Sequence, residues 1–173
     1  MDISPAPRPV LELRDIVKTY GGVHALDTVS FTLLPGEVHC LAGENGSGKS
    51  TLIKIISGVE TPDSGVIVVG GERHASMTPA SAIAAGVQVI YQDFSLFPNL
   101  SVAENIAMPR QRAVGGRFYS ARAARPIAQG IVDELGLALD LDADVAALSV
   151  ADKQLTAICR ALVSDAQIII MDE

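Results

Sequence analysis

The chain has no tryptophan, few aromatic residues, few cysteines and fewer positive than negative charges. Aromatic residues make up 4% of its 173 residues, and the two cysteines, Cys40 and Cys159, lie among apolar neighbours without a C-x-x-C or histidine cluster. This usage predicts two buried thiols and argues against a disulfide framework or a cysteine-ligated metal. No apolar run reaches the roughly 18 residues of a membrane span, and no signal peptide is expected.

The charge balance is acidic. Thirteen Lys and Arg residues against 20 Asp and Glu residues give a formal net charge of −7. Such a balance argues against nucleic acid as a partner. The chain is long enough for one domain, and 49% of its residues are hydrophobic, which is enough to form a core. A soluble cytoplasmic protein is the interpretation that this composition favours.

Three of the 15 glycines lie in one informative segment, Gly43–Thr51, which follows the pattern G-x-x-x-x-G-K-[ST]. Glycines allow successive backbone N–H groups to point at one place, where a helix N-terminus adds partial positive charge. Lys49 supplies a full charge for the outer phosphates of a nucleotide, and the Ser50 hydroxyl can hold Mg²⁺. The alternative is a glycine-rich turn with an exposed lysine. The predicted nucleotide-binding residues of this loop are Gly43, Glu44, Asn45, Gly46, Ser47, Gly48, Lys49, Ser50 and Thr51.

The flanks of this loop give it a structural context. Val38–Ala42 is apolar and predicts a buried strand before the loop, whereas Thr51–Ser57 predicts a helix that stops at Gly58. Strands are also expected at Val10–Ile16, Val29–Leu33, Val66–Val69 and Val87–Tyr91, and a helix at about 79–85. Capping signals that predict further helices begin at Ser101, Ser120 and Ser149. Pro126 should kink the second of these helices or mark its true start.

The last element is an apolar run, Ile168–Met171, followed by Asp172 and Glu173. Such a run is typical of a central parallel strand, and ligands bind at the carboxyl ends of these strands. Asp172 could hold Mg²⁺, and Glu173 could orient and deprotonate an attacking water. The alternative is an ordinary strand end with exposed acids.

In these motifs the chain resembles the ATP-binding subunits of ABC transporters, from Val10 to Glu173. Tyr20 lies where that family places an aromatic residue that stacks on adenine. Gln92 matches the glutamine that contacts Mg²⁺ and the attacking water and senses the membrane domains. Leu148–Asp152 falls where the signature Leu-Ser-Gly-Gly-Gln belongs, and its spacing to Asp172 fits the family.

The resemblance implies ATP and Mg²⁺ as cofactors and an ATPase as the activity of the full-length parent. The implied catalytic residues are Glu173, Lys49 and Gln92, and the implied metal ligands are Ser50, Gln92 and Asp172. Ser149 would contact the γ-phosphate held by a second ABC domain in a head-to-tail dimer. Val150, Ala151 and Asp152 replace the signature's two glycines and glutamine, so a weakened signature is expected.

The implied fold class is α/β, a phosphate-loop NTPase core with an antiparallel β subdomain and a helical subdomain. We expect a flexible lead-in at 1–9, the ATP-binding core and β subdomain at 10–92, the helical subdomain at 93–164 and the last core strand at 165–173. The family's further C-terminal strands would be missing. The isolated chain is expected to bind nucleotide with little turnover.

The sequence of residues 43–65 and 91–106 is similar to that of the ATP-binding subunits of simple-sugar importers. This similarity implies transmembrane permease subunits as partners, a periplasmic solute-binding protein indirectly, and a location on the cytoplasmic face of the bacterial inner membrane. Phe94, Leu96 and Phe97 would contact the permease, or else pack within their own domain. An importer of amino acids or another solute, a non-transport ABC protein and a non-catalytic fragment remain open.

Overall fold

The computed structural model describes residues 7–113 and 120–172. The chain divides into two compact units, residues 1–88 and residues 89–173. Most of the predicted lead-in at 1–9 lies outside the described residues. The division into subdomains at 92 and 164 stays a prediction.

The first unit is built on an antiparallel sheet in which β1 is an inner strand. Its four strands pair in the order β2-β1-β3-β4. Along β1, the apolar residues Leu11, Leu13 and Ile16 are buried, and this face carries the core of the sheet. The strand bounds are β1 Leu11–Tyr20, β2 Val23–Leu33, β3 Ser64–Val69 and β4 Glu72–His74.

The hairpin between β1 and β2 is longer than the sequence predicted. Gly21 and Gly22 both have positive φ, 54° and 86°, so pairing continues to Tyr20 opposite Val23. The expected strands Val10–Ile16 and Val29–Leu33 therefore extend to this turn.

The helix after the glycine-rich loop is confirmed. It is α1, Lys49–Ile56, and its C-cap residue Ser57 is followed by Gly58 with φ 75°. The Gly58 N–H donates to the carbonyl of Ile55 at 3.1 Å, which closes the last turn. A second helix, α2 at Pro79–Ala84, begins after a capping box between Thr78 and Ser81.

The strand predicted at Val38–Ala42 is wrong. These residues form no strand, Val38 is 99% exposed and Leu41 is also exposed. Within the described part of the chain no neighbouring strand pairs with this segment. An apolar run supplies the pattern of a buried strand, but a hydrogen-bonded neighbour is also required. The same segment exposes Cys40, so only Cys159 of the two predicted buried thiols is buried.

The second unit combines helices with a two-stranded parallel sheet. Its core lies between the three helices and includes Val102, Ile106, Ala128, Val132 and Cys159. The elements are β5 Val87–Ile90, α3 Val102–Ala113, α4 Ala121–Glu134, a 3-10 turn at Val145–Ala147, α5 Val150–Val163 and β6 Ile168–Met171.

The helix starts expected at Ser101, Ser120 and Ser149 are confirmed. Ser101 and Glu104 form a reciprocal capping box, with the Ser101 N–H donating to Glu104 Oε2 at 2.9 Å and the Glu104 N–H donating to Ser101 Oγ at 3.3 Å. Pro126 lies inside α4, so the proposal that it marks the start of this helix is wrong. Ser120 supplies that start by accepting a hydrogen bond from the Ala123 N–H.

The strand β6 is less buried than a central strand. Ile168 is buried, Ile169 and Ile170 are half-buried, and Met171 is 54% exposed. Among the described residues β6 pairs with β5 alone, which leaves its other edge uncovered. A central strand covered on both faces would be buried throughout, so β6 does not have the burial of such a strand in the described residues.

Gly65 offers a direct test of the packing of β3 on β1. A Cβ at Gly65 would lie 2.7 Å from the carbonyl oxygens of Arg14 and Asp15, at a φ of 105°. We expect Gly65→Ala to lower the free energy of unfolding by about 2 kcal/mol or more. Gly130→Ala, inside α4 with no atom within 4 Å of its Cβ, is the control and should stabilise by about 0.5–1 kcal/mol. Equal stabilities in urea denaturation would contradict the close approach.

Candidate functional site

The glycine-rich loop enters α1 through a residue that only glycine can occupy. Gly48 is the N-cap of α1 and has φ 89°. A Cβ there would lie 2.4 Å from the carbonyl oxygen of Ala25 and 2.8 Å from Leu26 Cδ2, both on β2. The loop is therefore packed directly against the sheet, and the first turn of α1 is fixed in place.

Lys49 folds over the mouth of this loop. Its Nζ donates to the carbonyl of Gly43 at 2.6 Å and to that of Glu44 at 2.9 Å, while the Ser47 N–H donates to the Glu44 carbonyl at 3.2 Å. The Lys49 ammonium therefore lies beside the loop at the start of α1, and a cation next to a helix N-terminus is a combination that favours an anion. Ser50 is exposed and Thr51 half-buried in the first turn of α1.

Tyr20 belongs to the same unit as the loop. The residue is 45% exposed, and the Lys18 Nζ lies 5.2 Å from the ring centroid. Desolvation and a hydrogen bond to Glu60 raise the pKa of the Tyr20 hydroxyl, so it keeps its proton at neutral pH. An exposed aromatic face is the feature that the predicted adenine contact requires.

In the second unit, Gln92 and Asp172 line one cleft. Tyr91, Asp93 and Ser95 complete its wall, and its volume is about 620 Å³. The Asp172 N–H donates to the carbonyl of Ile90 at 3.0 Å, which fixes Asp172 at the end of β5. The side-chain oxygens of Gln92 and Asp172 are of the hard type that Mg²⁺ prefers, so their chemistry fits the predicted metal. Glu173, the predicted base, lies outside the described residues.

Arg160, which the sequence-based interpretation did not single out, holds the segment after Gln92. Its guanidinium donates to the carbonyls of Ser95 at 2.7 Å and Phe94 at 2.9 Å. Phe94 and Ser95 both have positive φ, 58° and 47°, a strained conformation for residues other than glycine. Burial lowers the pKa of Arg160, and Asp93 opposes that effect. The sequence signal was a lone arginine in the otherwise apolar run 157–163.

The apolar residues of this segment differ in exposure. Phe94 and Leu96 pack within the second unit against a cluster of Ile90, Ala157 and Ala161, whereas Phe97 is half-exposed. Of the two predicted roles, contact with a permease or packing within the domain, the second therefore applies to Phe94 and Leu96. Phe97 alone keeps an exposed face for a partner.

Asn105 was also missed from the sequence. It is fully buried on α3, and it accepts from the Phe97 N–H at 2.8 Å and donates to the carbonyls of Phe97 and Ser101, both at 3.0 Å. These bonds satisfy the backbone of the turn that leads into α3. The available sequence signal was a polar residue, Asn105, directly before the apolar Ile106 in the predicted helix.

Ser149, the predicted contact for a partner's phosphate, caps its own helix. Its Oγ accepts from the Asp152 N–H at 3.1 Å and donates to Asp152 Oδ2 at 2.7 Å. Val150 beside it is 70% exposed. The hydroxyl proton is therefore held by the carboxylate that replaces the signature's glutamine.

Fold and loop together define an α/β protein of the phosphate-loop class. The family model described as ABC transporter matches residues 26–173. The chain therefore belongs to the ABC transporter family.

Curated relatives are ATP-binding proteins of ribose import. The chain is 44% identical over its whole length to "Ribose import ATP-binding protein RbsA" of Rhodococcus jostii, covering 34% of that protein. It is 49% identical to "Ribose import ATP-binding protein RbsA 2" of Streptomyces avermitilis, with 96% of this chain and 33% of that protein covered. The chain thus spans about a third of the length of these relatives.

Solved structures of ATP-binding cassettes share the fold. One is MJ1267 in its ADP conformation, an ATP-binding cassette of an ABC transporter, with 28% identity and a TM-score of 0.80. The match covers 96% of this chain and 69% of MJ1267. Another is MJ0796, a dimeric post-hydrolysis state bound to ADP and Pi, with 25% identity, a TM-score of 0.73, and coverage of 94% and 73%. In the described part of this chain, no helix is long and apolar enough to cross a membrane.

The contacts of Arg160 generate a stability prediction. Arg160→Met removes two charge-assisted hydrogen bonds from carbonyls in a strained turn, and should destabilise the protein by about 2–3 kcal/mol. Arg125→Met is the matched control, because Arg125 pairs with the exposed Asp142 on the surface and should cost less than about 1 kcal/mol. Chemical denaturation of both variants measures the difference. Equal losses would show that the Arg160 bonds do not hold the turn.

Proposed function

We propose that this chain is the nucleotide-binding part of an ATPase subunit that powers the import of a simple sugar. The observation that carries the proposal is the loop at Gly48 and Lys49, where a glycine packed on β2 and a half-buried ammonium shape an anion site at the start of α1. Family membership supports the nucleotide as ligand. The names of the relatives support ribose or a related sugar as the transported solute.

The loop would bind the phosphates of ATP through its N–H groups and Lys49. On nucleotide binding, the ammonium exchanges the carbonyls of Gly43 and Glu44 for phosphate oxygens, which are stronger acceptors because they are charged. Adenine would stack on the exposed face of Tyr20. Lys49 then spreads the charge that develops on the outer phosphates.

Ser50, Gln92 and Asp172 would hold Mg²⁺. Held there, Mg²⁺ would neutralise negative charge on the phosphates of the nucleotide. Gln92 and Asp172 contribute oxygens from one cleft, and the backbone bond from Asp172 to Ile90 keeps the carboxylate at the strand end. Glu173 would orient the attacking water and accept its proton.

Two further partners belong to the proposal. A second ABC domain would complete the ATP site in a head-to-tail dimer, an arrangement supported by the dimeric state of the related MJ0796 cassette. Transmembrane permease subunits would contact the segment after Gln92, where Phe97 is exposed. The subunit would then act at the cytoplasmic face of the inner membrane, with a periplasmic solute-binding protein as an indirect partner.

The phosphate loop can be tested by calorimetry with Mg-ATP. Lys49→Ala should weaken binding at least about tenfold, because a charge-assisted contact to phosphate is lost. Lys54→Ala, an exposed lysine on the same helix, is the control and should bind as the wild type does. Equal affinities of the wild type and Lys49→Ala for Mg-ATP would contradict the proposal.

The metal ligands can be tested separately. Asp172→Asn should reduce the dependence of ATP affinity on Mg²⁺, because a charged oxygen ligand is replaced by a neutral one. Asp165→Asn, an exposed aspartate of the same unit, serves as the control. Affinity is measured with Mg²⁺ and with EDTA, and an unchanged ratio in Asp172→Asn would exclude this carboxylate as a ligand.

A further inference from the structure

The ring of Tyr20 has a cation on one of its faces. The Lys18 Nζ lies 5.2 Å from the ring centroid, within the distance at which an ammonium is attracted to an aromatic face. The tyrosine still exposes 45% of its surface. Since Lys18 covers one face, the opposite face is the one left for a ligand.

Lys18 itself is tightly held. Its Nζ lies 2.8 Å from Glu60 Oε1, donates to the carbonyl of Thr61 at 2.8 Å, and lies 3.5 Å from Asp63 Oδ1. An ammonium has three donors, so these partners use all of them. The side chain is only 12% exposed. Two carboxylates compensate its charge, which excludes Lys18 as a ready ligand for nucleotide phosphates.

Glu60 acts on both side chains. Its carboxylate is paired with the Lys18 ammonium, and together with desolvation it raises the pKa of the Tyr20 hydroxyl. The interactions with Lys18 and Tyr20 lower the pKa of Glu60, which keeps it charged at neutral pH.

We infer that Lys18 and Glu60 are positioning residues that hold the Tyr20 ring as a stacking platform for the purine base of the nucleotide. This inference rests on the proposed nucleotide binding. The cation on one face draws electron density from the ring and so favours an electron-rich base on the other face.

The test compares ATP with inorganic tripolyphosphate, which has the phosphates but no base. In Lys18→Met, ATP affinity should fall about three- to tenfold, while tripolyphosphate affinity changes less than about twofold. Lys18→Arg keeps a cation over the ring and should retain most of the ATP affinity. In a Tyr20→Ala background, Lys18→Met should have no further effect on ATP binding, because the platform is already gone.

Lys54→Met is the control for the loss of one positive charge in the same unit. Circular dichroism checks that each variant is folded. If Lys18→Met does not fold, Glu60→Gln tests the same ion pair. It should show the same selective loss of ATP affinity. Equal weakening of ATP and tripolyphosphate, or an effect that persists in Tyr20→Ala, would overturn the inference. A wild type that binds ATP while Lys18→Met binds it equally well overturns the inference alone. A wild type that binds neither compound overturns the proposed function as well.

Discussion

The first unit depends on the close contact between Gly48 and β2. With no Cβ at Gly48, the backbone of the loop lies against the carbonyl of Ala25, and α1 begins at a fixed place on the sheet. This position sets where the Lys49 ammonium and the first N–H groups of α1 point. One steric constraint therefore sets the position of the expected phosphate site, and the burial of Leu52, Ile55 and Ile56 keeps the helix there.

In the second unit, side chains from two helices hold an irregular segment in one conformation. Residues 94–101 follow the cleft at Gln92 and have no regular ladder among them. Their backbone groups are satisfied by side chains from two helices, Asn105 from α3 and Arg160 from α5. Because a buried carbonyl without a partner is costly, these two side chains favour a single path for the segment. Asn105 and Arg160 thus hold the segment that follows Gln92.

Local signals of the sequence were sufficient for much of this fold. The capping box at Ser101 and the stop at Gly58 involve residues within four positions of each other, and both were predicted correctly. The errors concern contacts between distant residues. The apolar pattern of Val38–Ala42 cannot show whether a neighbouring strand is present, and Cys40 is exposed for the same reason. Within the site, the loop was predictable from its own spacing. The roles of Lys18, Glu60 and Arg160 were not, because each depends on a partner about 40 to 66 positions away or on a turn placed by the fold.

The start of α5, where the family resemblance predicts an altered signature, shows how one side chain changes what a helix start can bind. A hydroxyl has a single proton, and that of Ser149 is donated to Asp152 Oδ2. In this state Ser149 presents lone pairs and a neighbouring carboxylate to an approaching anion, and both disfavour it. The helix dipole at the start of α5 still favours an anion, and the side chain of Val150 beside Ser149 is exposed. The N–H groups of residues 150–152 are therefore the better donors at this helix start, because the Ser149 proton is already used.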